Sequence, residues 1–192
     1  MKQTKTSYWS VMSSLVVLII CVACSSKKIV ERIEANTTID LSGRWNDTDS
    51  RQVSEAMIID CLNHSWITNH ATNSGGEKPV VIVGAIRNRS MEHVAISAFI
   101  NDIERAFINS GRVSIVASAT ERDEIRAEKE DQRVYSSLKT IKEMGLEYGA
   151  DYMMTGEINS IEDREGGTQV TYYQVDLTLT NIETNEKIWL GQ

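Results

Sequence analysis

Residues 79–117 read PVVIVGAIRNRSMEHVAISAFINDIERAFINSGRVSIVA, and this stretch decides the fold class. Pro79–Ile86 is an unbroken apolar run, the pattern of a strand buried on both faces. Pro79 stands at its first position, where a missing N–H is tolerated. Arg87-Asn88-Arg89-Ser90 reads as a loop. From about Glu92 to Asn109, Ile96, Phe99, Ile100, Ile103, Ala106 and Phe107 recur at the spacing of a helix buried along one stripe. Gly111 supplies a C-terminal stop, and Val113–Ala117 is a second apolar strand. Strand, helix and strand in this order predict a right-handed crossover.

Upstream, Leu41–Arg51 is rich in turn residues, and Asp47 or Asp49 is placed to cap a following helix. Val53, Met57, Ile58, Cys61, Leu62 and Trp66 form one apolar stripe along it. Cys61 lies on that stripe and reads as a buried inert thiol. Asp60 and His64 are one turn apart with no third partner in view, and read as a solvated face. Thr68–Lys78, with Gly75-Gly76, reads as a polar loop. Downstream, Thr120–Arg133 is almost wholly charged, an exposed helix. A further helix over about Ser136–Tyr148 would bury Leu138, Ile141 and Leu146. Tyr152–Ile161 and Thr168–Ile182 read as strands of a hairpin turning at Gly166-Gly167. The alternation in the second strand slips near Tyr173-Gln174-Val175. Lys187–Leu190 begins a last strand. The expectation is one α/β (α+β) domain, a mixed sheet of about four to five strands flanked by helices.

The N-terminus carries a different signal. Lys2 and Lys5 precede the apolar run Leu15–Ile20, which ends on Val22-Ala23-Cys24. A basic start, a short apolar core and small residues before a cut site describe an export signal. The apolar core is far shorter than the roughly 20 residues of a spanning helix. Small residues before a cysteine resemble a lipobox, although Cys21 stands where a leucine is usual. Residues 1–23 are therefore read as a lipoprotein signal peptide, 24–40 as a lipidated N-terminus with a short tether, and 41–192 as the globular domain. Cys24 is the expected lipid attachment site. The tether, Ser25–Asp40, spans at most about 50–58 Å when extended. As a flexible coil it averages roughly 20–25 Å.

Loss of residues 1–23 leaves 169 of the 192 residues with 18 basic and 27 acidic side chains, a net charge of −9. Such a balance argues against nucleic acid, which selects a basic stripe, and against electrostatic adhesion to anionic lipid. Membrane attachment is expected through the lipid anchor only. Cys61 alone remains beyond the anchor, so no intramolecular disulfide is available. There is no G-x-S-x-G elbow, H-E-x-x-H motif or phosphate loop. His64, His70 and His93 are not at metal-ligand spacing on one element. Carboxylate pairs such as Glu162-Asp163 fall near a polar hairpin tip. The reading is a protein that is not an enzyme, with no cofactor, metal or small-molecule substrate.

Several segments carry a resemblance. LSGRWNDTDSR (41–51), VVIVGAIRNRSMEH (80–93), FINSGRV (107–113), ERDEIRAEKEDQ (121–132), LEYGADYMMTGEINSI (146–161) and YQVDLTLTNIETNEKIWLGQ (173–192) resemble the LpoB family of penicillin-binding-protein activators. The resemblance implies a domain like the N-terminal domain of TolB, on an outer-membrane lipoprotein facing the periplasm. It implies binding and activation of a class A penicillin-binding protein in peptidoglycan synthesis, without catalysis. The familiar enterobacterial members carry a long Pro-rich tether, whereas this tether is short and the chain's one proline is Pro79. Ser25-Ser26 lacks the Asp that retains lipoproteins at the inner membrane, which by analogy implies the outer membrane. An alternative is an envelope assembly or secretion lipoprotein similar to CsgG or TolB.

A partner-binding face must present groups that the fold does not need. Arg44 and Trp45 precede the first long helix, outside its apolar stripe. Arg87, Asn88 and Arg89 lie where the chain leaves a buried strand, and loops commonly carry function. Trp and Arg are enriched among interface hot spots. These five residues are the candidate contact. For the N-terminus, the intact mass of protein extracted from membranes is expected to match an acylated chain beginning at Cys24, with Met1–Ala23 absent.

Overall fold

In a computed structural model, the described residues are 43–136, 140, 142 and 147–192, all within the unit Thr38–Gln192. The proposed helix over 136–148, with Leu138, Ile141 and Leu146, lies mostly outside them. Four helices are described: α1 (Asp47–Asn63), α2 (Trp66–Asn73), α3 (Ile96–Ser110) and α4 (Ala119–Tyr135). Five strands, β1 (Val80–Asn88), β2 (Ser114–Ile115), β3 (Tyr152–Glu165), β4 (Thr168–Asn181) and β5 (Lys187–Gly191), form one sheet in the order β2-β1-β3-β4-β5. β1 is parallel to β2 and β3, and β4 is antiparallel to β3 and β5. The mixed α/β sheet matches the expectation. The second strand of the crossover is only two residues long.

α1 starts one residue earlier than its acidic residues suggest. Asn46 is the cap, its Oδ1 accepting from Thr48 N at 2.8 Å, and Asp49 closes the box by accepting from Asn46 N at 2.9 Å. Asn caps as well as Asp does, and the carboxylate three positions on completes the reciprocal pair. The apolar stripe does not continue unbroken to Trp66. His64 is extended, and Trp66 opens the separate helix α2, which takes up residues assigned to a polar loop. The Trp66 indole N–H donates to the Cys61 carbonyl at 2.8 Å. The same carbonyl also accepts from the His64 N–H at 3.3 Å at the end of α1, and Trp66 is buried by folding back on the stripe.

Burial divides the sheet into two unlike faces. Val81, Val83, Ile86, Tyr152, Met154, Ile158, Val175, Leu177, Leu179 and Trp189 join Met57, Ile58, Cys61 and Leu62 of α1 and Phe99, Ile103 and Phe107 of α3 in one core. In β1 the strict alternation is interrupted by a bulge, Gly84 and Ala85 both standing opposite Thr155. The extra residue shifts the phase so that Ile86, not the exposed Ala85, turns to the core. β4 pairs with β3 without interruption from Thr168 to Asn181. Its apparent slip near Tyr173 is therefore not a register change. Thr171, Tyr173, Val175, Leu177 and Leu179 share the helix side, while Val170, Tyr172 and Gln174 share the other.

Turns follow backbone demands. Gly166 and Gly167 both take positive φ, 56° and 86°, as a tight two-residue hairpin turn between twisted strands requires. Gly111 ends α3 in the left-handed region. α4 contains no buried residue and is capped by Ser118 with Glu121. The Arg126 guanidinium bonds the Glu147 carboxylate twice, at 3.0 and 2.9 Å. Those bonds hold the Glu147 carboxyl below its ordinary range. No helix among the described residues is long and apolar enough to cross a membrane.

Phe107 is fully buried, and Phe107→Ala is expected to lower stability by about 3–5 kcal/mol in denaturant titration. A Cβ at Gly156 would meet the Asp176 carbonyl and the Leu177 side chain inside van der Waals distance. Gly156→Ala is therefore expected to lower the melting temperature, since backbone cannot move aside as a side-chain tip can.

Candidate functional site

The candidate residues separate into two groups at the end of the sheet. Trp45, half-buried, packs its indole edge-on against Phe99 at 5.9 Å and Tyr173 at 5.5 Å. Its Nε1–H donates to Ser50 Oγ at 2.8 Å. The Tyr173 hydroxyl accepts from Trp45 N at 3.1 Å and donates to Glu92 Oε2 at 2.6 Å. Arg44 Nε lies 3.9 Å from Glu92 Oε1. Asn88 donates to the Glu92 carbonyl at 2.8 Å and accepts from the Ser90 amide and hydroxyl. Arg44, Trp45 and Asn88 thus converge on Glu92 and Tyr173. Burial, then the hydrogen bond to Glu92, raise the Tyr173 hydroxyl above its ordinary pKa, so it stays protonated and donating at neutral pH.

Arg87 and Arg89 belong to the other face. Arg87 is exposed on β1 rather than in a loop, in register with Glu157, which stands opposite Asp176 on β4. Arg89 follows the strand and places Nε 3.8 Å from Glu157 Oε2. The strand runs to Asn88 because Arg87 and Asn88 continue the pairing with Glu157 and Ile158. Beside the first group opens a concavity of about 740 Å³, bordered by Arg44, Met91, Glu92, His93, Arg164 and Gln169. Its lining is mostly polar and carries no paired nucleophile and base.

The roles of Glu92 and Tyr173 are not visible in the sequence, since they lie 81 positions apart. Tyr173 left one trace, as the aromatic that disturbed the β4 pattern. Asp60 has the third partner that the sequence concealed. The Trp189 indole donates to its Oδ2 at 2.8 Å, while His64 Nδ1 lies 2.9 Å from its carbonyl oxygen. Cys61 is fully buried, and burial raises its thiol pKa to about 12. Among the described residues, no group of three or more His, Cys, Asp or Glu is arranged to hold a metal ion.

A five-stranded mixed sheet with α1 and α3 packed on one face, bordered by charged groups, defines a single mixed α/β domain. A family model described as the peptidoglycan-synthase activator LpoB matches residues 49–192, and the chain belongs to that family. No curated protein matches it. Solved structures with similarity include the LpoB C-terminal domain from Salmonella enterica, at 14% identity, covering 74% of this chain and 95% of that one with a TM-score of 0.38. The Escherichia coli LpoB C-terminal domain matches at 14% identity, 65% and 90% coverage and a TM-score of 0.37. Lipoprotein GNA1162 from Neisseria meningitidis matches at 10% identity, 59% and 78% coverage and a TM-score of 0.37.

Tyr173→Phe removes one acceptor and one donor together, leaving the Trp45 amide and the Glu92 carboxylate without that hydroxyl. A loss of about 1–3 kcal/mol is expected in thermal or denaturant unfolding. For Cys61, slow alkylation is expected in the folded protein and fast alkylation in denaturant. Its raised folded pKa makes a stabilising contribution that is complete below the unfolded thiol value near 9. That contribution is lost as pH rises toward about 12, so Cys61→Ala is expected to flatten the alkaline arm of the stability profile.

Proposed function

We propose that this protein is a periplasmic lipoprotein, anchored through Cys24 in the outer membrane, that binds and activates a class A penicillin-binding protein. The observation that carries this reading is membership of the synthase-activator family over residues 49–192. The division into a signal peptide over 1–23, a tether over 24–40 and a domain over 41–192 belongs to the same reading. Activation by contact needs no catalytic group of its own. It requires a folded domain that favours the active state of the synthase through differential binding. The short tether keeps the domain near its membrane, so the synthase must approach it.

The exposed arginines are the side chains in the candidate set with the least structural work. Trp45 and Asn88 are engaged within the fold, whereas Arg87 and Arg89 stand on the open face beside Glu157. In a chain of net charge −7, these two cations are suited to an acidic patch on the partner. The test is glycan polymerisation by purified class A synthase with and without the protein, together with its affinity. Stimulation and direct binding are expected. Arg87→Ala with Arg89→Ala is expected to cost about 1–3 kcal/mol of binding with the melting temperature unchanged. Unaltered affinity in a folded double variant removes the arginines from the contact.

A further inference from the structure

A second concavity, of about 810 Å³, lies between α2, the start of β3 and the turn that joins β4 to β5. Its size is in the range of ligand sites, but its lining is mostly polar, which argues against an apolar guest. Asp151, Glu183 and Glu186 outnumber Lys187 along its border, which disfavours an anion.

The floor of the concavity is held in place by the fold. Tyr152 is buried, and His70 Nδ1 lies 3.0 Å from its hydroxyl oxygen. Burial, then the neighbouring Asp151 carboxylate, raise that hydroxyl above its ordinary pKa, so it stays protonated. Its O–H finds its acceptor in His70 Nδ1, and the neutral imidazole therefore carries its own hydrogen on Nε2. Asp151 is fixed as well, its Oδ2 accepting from Val80 N at 2.8 Å. His70 Nε2 and Asp151 Oδ2 stand 3.9 Å apart, too far for a direct hydrogen bond. One oxygen that accepts from Nε2–H and donates to the carboxylate fits between them. An ammonium cannot accept there and a carboxylate cannot donate, whereas a hydroxyl does both.

α2 supplies one wall. Asn69 and Asn73 are exposed along it, one turn apart, which sets their Cβ atoms roughly 5–6 Å from each other. Each carboxamide presents a donor and an acceptor side by side. Such groups in a row match the successive hydroxyls of linked sugars, where every oxygen is donor and acceptor at once.

We infer that this concavity binds an uncharged stretch of glycan, one sugar hydroxyl bridging His70 Nε2 and Asp151 while others bond Asn69 and Asn73. The inference rests on the synthase reading for which glycan this is: the chain of N-acetylated amino sugars that a peptidoglycan synthase makes. The activator would then hold the product strand as well as the enzyme.

Isothermal titration calorimetry of the full-length protein tests it, with the tetrasaccharide of N-acetylglucosamine and with glycan strands stripped of peptide. Saturable binding of both is expected, the strands displacing the tetrasaccharide. Asp151→Asn can keep the bond from Val80 but turns an amide donor toward the ligand hydroxyl. It is expected to weaken binding by about tenfold or more. Asn69→Ala with Asn73→Ala, both at exposed positions, is expected to do the same with the melting temperature unchanged, and decides the question if Asp151→Asn is unfolded. Full-strength binding by that double variant places the sugar elsewhere and overturns the inference. Strands that fail to displace the tetrasaccharide assign the site to free oligosaccharide and overturn it too, as does the absence of sugar binding by the wild type. Stimulation of the synthase is measured separately, so sugar binding without stimulation overturns the synthase reading alone.

Discussion

The structure depends on the burial of one sheet face beneath α1 and α3. Met154, Ile158, Leu177 and Leu179 are fully buried there, against Phe99, Ile103 and Phe107. Each large apolar side chain removed from water contributes on the order of 1.5–3 kcal/mol, and side chains alternate along a strand. A slip of one residue in β4 would exchange Val175, Leu177 and Leu179 for Asp176, Thr178 and Thr180. That exchange fixes the register of the β3–β4 pair throughout its length. Gly156 is part of the same constraint, since its missing side chain leaves room for the Asp176 carbonyl and Leu177.

The other face follows different chemistry. Arg87, Glu157 and Asp176 form a row of charges across three strands, and Leu190 is exposed on β5. Toward the Gly166-Gly167 turn every residue from Ile161 to Val170 is exposed, because no helix reaches that part of the hairpin. Ile161 and Tyr172 stand opposite each other there, so cross-strand pairing rather than a core supports the hairpin end. The fold thus gathers most of its large apolar residues on the helix-covered face and leaves charged groups and the hairpin end exposed.

The junction between these regions is polar and tightly bonded. Glu92 receives the Tyr173 hydroxyl, lies beside Arg44, and through its carbonyl holds Asn88. Tyr173 in turn receives the amide of Trp45, just before α1. Through these few bonds the start of α1, the turn after β1 and the outer part of β4 are mutually positioned. A partner that contacts any one of them meets a surface whose parts are already fixed relative to one another, which reduces the ordering cost of association.

The sequence by itself determined the features that depend on local periodicity. The apolar run of β1, the stripe of α3, the glycine stop at Gly111, the hairpin turn and the charged exposed helix α4 all follow from spacing and backbone preference. It also determined the family, through segments spread over most of the domain. The tertiary structure alone decided which face of each strand is buried near the bulge at Gly84-Ala85 and that Trp66 opens its own helix. It also decided that Trp45 joins the core edge while Arg87 and Arg89 stand on the opposite face. Only the fold brings Asp60 to Trp189, 129 positions away, and Trp45 to Tyr173, 128 positions away. Periodicity reports how a segment meets water, whereas such pairs depend on where the chain returns in space, and that is set by the packing of the whole sheet.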